Sequence, residues 1–299
     1  MQIGVVFPQT ELGSDPAAIR EYALACERMG YTHILAYDHV LGANTASRPD
    51  WTGPYRLETP FHEPFVLFSY LAGATKTIGL TTGLIILPQR QTALVAKQAA
   101  CLDILSGGRL RLGIGIGWND VEYAALGMNF HDRGKRSEEQ VEVMRALWTK
   151  SAVTFKGRWH SIPDAGINPI PARSIPVWFG GGSGRTASGR PGVEEAVNRR
   201  IARLGDGWMP QWQPDDRGRE LLLKFQGYLR EYKRDVKKFG IEGRSSAHRA
   251  TESKWSETVR AWRDLGASHF SVNTMGDGLK GADMHLHRLE EFRKSVPAK

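Results

Sequence analysis

The sequence predicts an α/β protein folded as a single (β/α)8 TIM barrel, and three observations carry that expectation. Short β-branched runs alternate with amphipathic helical stretches, the mark of βαβ units around a parallel sheet. Eight alternations follow one another with no break in composition, which favours a closed barrel over an open doubly wound sheet. The 299 residues, 41% hydrophobic and 24% charged, can bury the core of one barrel domain spanning residues 1–299.

Each element has a local cause. Residues 3–7 form an apolar first strand. Asp15 then caps a helix with Pro16 at its first position, and Ile19, Tyr22, Ala23, Cys26 and Met29 recur at helical spacing until Gly30 stops it. His33–Ala36 is the second strand. A helix over 63–74 leads to the third strand, 78–83, and a helix over 94–105 ends at Gly107-Gly108. Leu110–Gly115 is the fourth strand, with glycines where side chains cannot fit. Helices over 121–126 and 138–148 precede an irregular insertion at about 151–175, rich in Gly, Pro and Trp. The fifth strand is expected at 175–179 and the sixth at Gly207–Pro210, followed by a charged helix over 221–239. The seventh strand should lie in 244–250, although that stretch is too polar for a buried barrel strand. A helix over 255–265, a strand over 269–272 and a helix over 284–292 complete the chain.

Composition narrows the function. The formal charge of +8 could point to nucleic acid, but the basic residues are spread. Arg199, Arg200 and Arg203, and Lys233, Arg234, Lys237 and Lys238, sit beside acids and read as solvated helix faces. Two distant cysteines, Cys26 and Cys101, can build neither a disulfide framework nor a zinc site, and no metal is expected. No charged leader and no apolar stretch of about 20 residues is present, so a cytoplasmic protein without a membrane span is expected.

Active sites of such barrels lie at the carboxyl ends of the strands. Asp38-His39 follows the second strand, and a carboxylate beside an imidazole can tune a general acid or base, though such a pair taken alone is more often a loop carboxylate and a hydrogen-bonded histidine. Gly83-Leu84 ends the third strand, where glycine allows close approach of a ligand or of strained backbone. Gly113, Gly115 and Gly117 leave bare backbone at the mouth of the fourth strand, with Trp118 at its edge. Their spacing is wrong for a dinucleotide fingerprint. Gly180, Gly181, Gly182, Ser183, Gly184 and Arg185 follow the fifth strand and precede a helix, an arrangement suited to cradling phosphate but without the ending of a nucleotide-hydrolysing P-loop. His285 and His287 read as surface histidines.

Residues 36–40 (AYDHV), 80–90 (LTTGLIILPQR), 96–118 (AKQAACLDILSGGRLRLGIGIGW), 203–208 (RLGDGW) and 263–272 (RDLGASHFSV) resemble, in this order, the bacterial luciferase-like superfamily. The resemblance implies a barrel with an insertion and one of two cofactors: reduced FMN for oxygenation, or the deazaflavin coenzyme F(420) for hydride transfer. It implies His39 and Asp38 as catalytic polar residues, and Gly83-Leu84 as a non-prolyl cis bond bulging against the ring. Gly115, Ile116, Gly117, Trp118 and Asn119 would border the ring or coenzyme chain, and Gly181, Gly182 and Ser183 would hold the phosphate. Trp118 stands where some hydride-transferring relatives place a glutamate, which counts against their sugar-phosphate dehydrogenase chemistry and leaves His39 as the better acid-base candidate. The expectation is an oxidoreductase acting on a small organic substrate, served by a flavin or F(420) reductase and assembled as a homodimer. A catalytically silent flavin-binding protein of the same fold is the alternative.

Overall fold

Punctuation residues set the element boundaries. The computed structural model describes residues 1–182, 193–247 and 251–296. After β1 (Gln2–Val6), α1 (Pro16–Arg28) starts where the Asp15 carboxylate accepts the Ala17 N–H at 3.1 Å, and it ends before Gly30 at φ +73°. β2 (His33–Ala36) leads through a long connection, with a short 3₁₀ turn inside it, to α2 (Pro64–Ala74), capped by Glu63 on the Val66 N–H. β3 (Gly79–Thr82) and the two-residue β4 (Ile85–Ile86) flank a cis peptide bond between Gly83 and Leu84, as expected. A 3₁₀ turn, Leu87–Gln89, then precedes α3 (Thr92–Leu105).

The second half repeats the pattern. β5 (Leu110–Gly115) is followed by a short α4 (Asp120–Ala125), capped by Asn119, and by α5 (Arg133–Thr149). After the insertion come β8 (Val177–Gly181), α6 (Val193–Leu204), β9 (Gly207–Pro210), α7 (Asp216–Glu231), β10 (Gly240–Ser246), α8 (Glu252–Asp264), β11 (His269–Asn273) and α9 (Gly281–Ser295). The inserted segment is not wholly irregular: β6 (Val153–Lys156) and β7 (Ser161–Ala165) pair as an antiparallel hairpin.

Eight parallel strands close on themselves in the order β1, β2, β3, β5, β8, β9, β10, β11 and back to β1. This is the expected (β/α)8 barrel. Because every ladder of the barrel is parallel, the carboxyl ends of its eight strands open at one mouth. Between strands and outer helices lies an apolar core that includes Phe7, Tyr22, Phe68, Leu71, Phe225, Trp262, Phe270 and Phe292, all buried.

The seventh strand required correction. It occupies Gly240–Ser246, four residues earlier than its polar sequence suggested, and α7 ends at Glu231 rather than near 239. Lys233 takes a left-handed conformation, φ +55°, and the Arg234 N–H closes back on the Leu229 carbonyl at 2.8 Å, a Schellman-type stop that the charged periodicity concealed. His285 also differs from expectation. It is buried, with Thr274 Oγ1 2.8 Å from its Nδ1, whereas His287 is exposed.

A polar strand is tolerated inside the barrel because its partners are there too. Glu242 of β10 meets Arg111 of β5 at 2.8 Å and His33 of β2 at 2.9 Å, and accepts from the Ser271 hydroxyl of β11. The Arg111 guanidinium lies 4.3 Å from the Trp178 ring centroid. Burial pushes the Glu242 carboxyl up, but Arg111, His33 and Ser271 outweigh it and hold it well below the usual carboxylate range. Burial, aided by Arg111 and His33, pulls His269 down to about 3, and burial pulls His285 down to about 4 against Asp277.

These shifts predict how stability changes with pH. An unfolded histidine takes up a proton near pH ~6.5, while the folded His269 and His285 stay neutral until pH is far lower. Their contribution is complete above that pH and is lost as pH falls toward about 4 and about 3. The melting temperature is therefore expected to fall from pH ~6.5 downward, and His269→Phe should flatten that slope by about one proton. An unchanged slope in this variant, read by scanning fluorimetry across pH, would remove His269 from the account.

Candidate active site

Parallel closure brings Asp38, Gly83, Trp118 and Gly181 to the same mouth, each at or just beyond the carboxyl end of a strand. The connection between β2 and α2, residues 37–63, carries His39 and several aromatic residues into it. The His39 ring lies 4.6 Å from Tyr55, 5.0 Å from Phe61 and 5.7 Å from Trp118, and Trp51 packs 5.6 Å from Trp118. Trp118 remains 40% exposed, so it forms the rim rather than the core.

The acid that serves His39 is not its neighbour. Glu122, on α4, places Oε1 3.1 Å from His39 Nδ1 and also accepts the Val40 and Leu41 N–H groups at 2.9 and 3.2 Å. Its Oε2 accepts from Gln89 at 3.1 Å. Glu122 is only 1% exposed. Burial raises its carboxyl, but the bonds from His39, Gln89 and the Leu41 N–H dominate and lower it below the ordinary glutamate range. An ionised carboxylate can only accept, so Nδ1 carries the proton and a neutral His39 keeps the Nε2 lone pair free to act as a base.

Asp38 faces elsewhere, as adjacent residues on extended backbone do. Its Oδ2 accepts the Ile86 N–H at 2.9 Å and its Oδ1 accepts from Arg90 at 2.8 Å, while Arg90 also reaches Glu63 at 2.8 Å. Burial pushes the Asp38 carboxyl up against the opposing pull of Arg90 and the Ile86 N–H. The expected role of Asp38 as the residue orienting His39 is therefore corrected: Asp38 ties the β2 loop to β4, and Glu122 orients the imidazole. Asn119 caps α4 through the Val121 N–H and donates to the Leu41 carbonyl, which holds Glu122 under the loop.

Glycines shape a pocket at the carboxyl ends of the strands. Its lining includes Leu35, Gly83, Leu84, Met209, Gln211, Glu242 and Arg244. A Cβ at Gly180 would lie 2.1 Å from Leu84 Cδ1, and one at Gly115 would lie 2.9 Å from it. The room these glycines leave is thus taken by the Leu84 side chain of the protein itself. Ile116 lends its carbonyl to the Tyr123 hydroxyl at 2.6 Å, and Gly117 turns the chain at φ +67°. At the end of β8, Gly181 and Gly182 have φ +126° and +69°, and a Cβ at Gly182 would lie 2.6 Å from Asn198 Oδ1. Bare backbone at a strand end fits a phosphate-bearing cofactor. Ser183 and Arg185 lie outside the described residues.

Sequence reasoning missed Glu122, Tyr55 and Arg244. Glu122 sits three residues after the Asn119 cap, where a capping-box reading assigns it to its own helix. The surrounding apolar Val121, Tyr123, Ala124 and Ala125 were the available hint that it is buried.

A family model described as luciferase-like monooxygenase matches residues 1–295. An uncharacterized protein of Mycobacterium tuberculosis is 30% identical over 287 residues, with 93% of each chain covered. An F(420)-dependent glucose-6-phosphate dehydrogenase of Amycolatopsis mediterranei is 31% identical over 200 residues, covering 65% of this chain and 53% of that protein. The crystal structure of a monooxygenase from Streptomyces bottropensis superposes with a TM-score of 0.75 at 17% identity, over 99% of this chain and 98% of that one, which bears on the fold alone. The barrel and the family model agree: the chain belongs to the luciferase-like monooxygenase family of oxidoreductases.

Proposed function

We propose that residues 1–299 act as one domain that binds reduced FMN or coenzyme F(420) at the barrel mouth and oxidises or reduces a small alcohol or carbonyl compound. The observation that carries this reading is the His39–Glu122 dyad at the same barrel mouth onto which Gly83 and Leu84 open. Bound there, the cofactor supplies hydride transfer in the deazaflavin case or oxygen activation in the flavin case. His39 Nε2 takes a proton from a substrate hydroxyl, or returns one to a carbonyl oxygen, while Glu122 stabilises the protonated ring. Tyr55, Phe61 and Trp118 wall the imidazole on its other sides and limit water. Gly181 and Gly182, with Ser183 and Arg185, hold the phosphate. Gly83, Leu84 and the stretch from Gly115 to Asn119 border the ring.

Absorbance titration with FMN and F(420), each oxidised and reduced, tests the reading. Binding of neither would overturn it, and binding without turnover on any alcohol or carbonyl panel would point to the silent flavin-binding protein. Gly181→Val is expected to weaken cofactor affinity about tenfold, or ~1.4 kcal/mol, by blocking the backbone approach. Wild-type affinity in this variant would move the phosphate elsewhere.

Three further features belong to the same reading. Val66 and Tyr70 leave an exposed apolar edge at i, i+4 on α2, which supports a homodimer measurable by light scattering. Free thiols at Cys26 and Cys101 fit the reducing cytoplasm, where a reductase would supply the cofactor. Arg199 pairs with Glu195 and Glu231, and Arg200 and Arg203 pair with Glu138, so these arginines are engaged in ion pairs within the chain. No helix among the described residues is long and apolar enough to cross a membrane.

A further inference from the structure

We propose that Arg244 anchors an anionic group of the substrate, a carboxylate or a phosphate ester, at the inner wall of the mouth, an inference that rests on the oxidoreductase reading of that site. Residues two apart on a strand share a face. Glu242 and Arg244 of β10 accordingly both line the pocket formed with Leu35, Gly83, Leu84 and Met209. Glu242 does not neutralise Arg244, because its oxygens are engaged by Arg111, His33 and Ser271.

Among the described residues Arg244 has no hydrogen bond and no ion pair. Its guanidinium carbon lies over the face of Tyr37, 5.5 Å from the ring centroid. Other arginines near the mouth are committed: Arg90 to Asp38 and Glu63, and Arg136 to Asp132. A half-buried guanidinium with its donors unspent is a poor structural element and a good bidentate receptor for a planar carboxylate or a phosphate.

Placement decides between substrate and cofactor as the source of the anion. The phosphate cradle proposed for the cofactor ends β8, and β9 separates β8 from β10. Tyr55 connects Arg244 to the reactive end: its ring packs 4.6 Å from His39, and its hydroxyl lies within electrostatic reach of Tyr37 and Arg244. A small molecule held by its anion at Arg244 therefore extends past Tyr55 toward His39. The formal charge of +8 favours approach of such a molecule.

Calorimetric titration of inorganic phosphate and of malonate into the full-length protein, with and without saturating cofactor, tests the anchor. Both anions are expected to bind in both states, to lose about 10- to 100-fold in affinity in Arg244→Met, and to lose less in Arg244→Lys. Cofactor affinity and melting temperature should match wild type in both variants, since Arg244 makes no bond within the described protein. Anion binding that is absent from the wild type, or unchanged in Arg244→Met, would overturn the proposal. So would competition between phosphate and cofactor together with a tenfold loss of cofactor affinity in Arg244→Met, which would assign the arginine to the coenzyme. Anion binding through Arg244 in a protein that binds neither FMN nor F(420) would uphold the anion site and overturn the cofactor reading alone.

Discussion

Replacing His39 with alanine is expected to slow turnover by roughly 10²-fold or more, the usual scale of a general acid-base contribution, while leaving cofactor affinity nearly intact. The imidazole sits at the mouth with Nδ1 3.1 Å from Glu122, and a carboxylate partner there leaves Nε2 as the basic nitrogen. Glu122→Gln should slow the reaction less and move its pH profile toward lower pH, because an amide still bonds the ring but no longer stabilises its protonated form. Asp38→Asn should act differently. Its carboxylate holds Arg90 and the Ile86 N–H, so its loss should lower the melting temperature and slow turnover only modestly. Single-turnover kinetics across pH, with an alcohol or carbonyl compound that supports turnover, separates the three. A His39→Ala enzyme whose chemical step keeps the wild-type rate and pH profile would leave the reaction to the cofactor and the pocket shape.

Glu242→Ala is expected to cost about 3–5 kcal/mol of stability, the usual result of leaving a buried charge without its partner. Arg111 would keep its charge against Trp178 with no carboxylate, and His33 and Ser271 would each lose an acceptor. Glu242→Gln should lose less, since an amide can still accept from Ser271. The informative variant is the pair Glu242→Leu with Arg111→Met. Replacing both members by apolar groups of similar volume removes the desolvation penalty along with the attraction, and should recover most of the lost stability. Equilibrium unfolding in urea measures all three. A single Glu242→Ala change costing under about 1 kcal/mol would show that water enters the layer and screens Arg111.

The proposed acid-base site was half legible. His39 follows a strand in a chain whose strand ends face one mouth, and that much is a local property combined with a rule of parallel barrels. Its partner was not, because Glu122 is separated from it by 83 positions and meets it only where α4 turns back beneath the β2 loop. Asp38 was chosen by adjacency, and extended backbone sends adjacent side chains to opposite sides. Glycines 113, 115 and 180 were legible as missing side chains but not as to what fills the gap, which for Gly115 and Gly180 is Leu84 of this chain.

What the sequence determined by itself has short-range causes. Asp15-Pro16 and Glu63-Pro64 start helices, Gly30 and Gly107-Gly108 stop them, and apolar runs such as residues 3–7 are buried on both faces. Each depends on backbone preference or hydrophobic period within a few residues, and eight repetitions then specify the barrel. Tertiary structure alone decided the seventh strand. A run carrying Glu242 and Arg244 looks unfit for a barrel interior until Arg111 and His33 arrive from the far side, His33 from 209 positions away in sequence. Burying a charge is unfavourable in isolation and tolerable when paired, so the fitness of that strand is a property of residues that only the closed fold brings together.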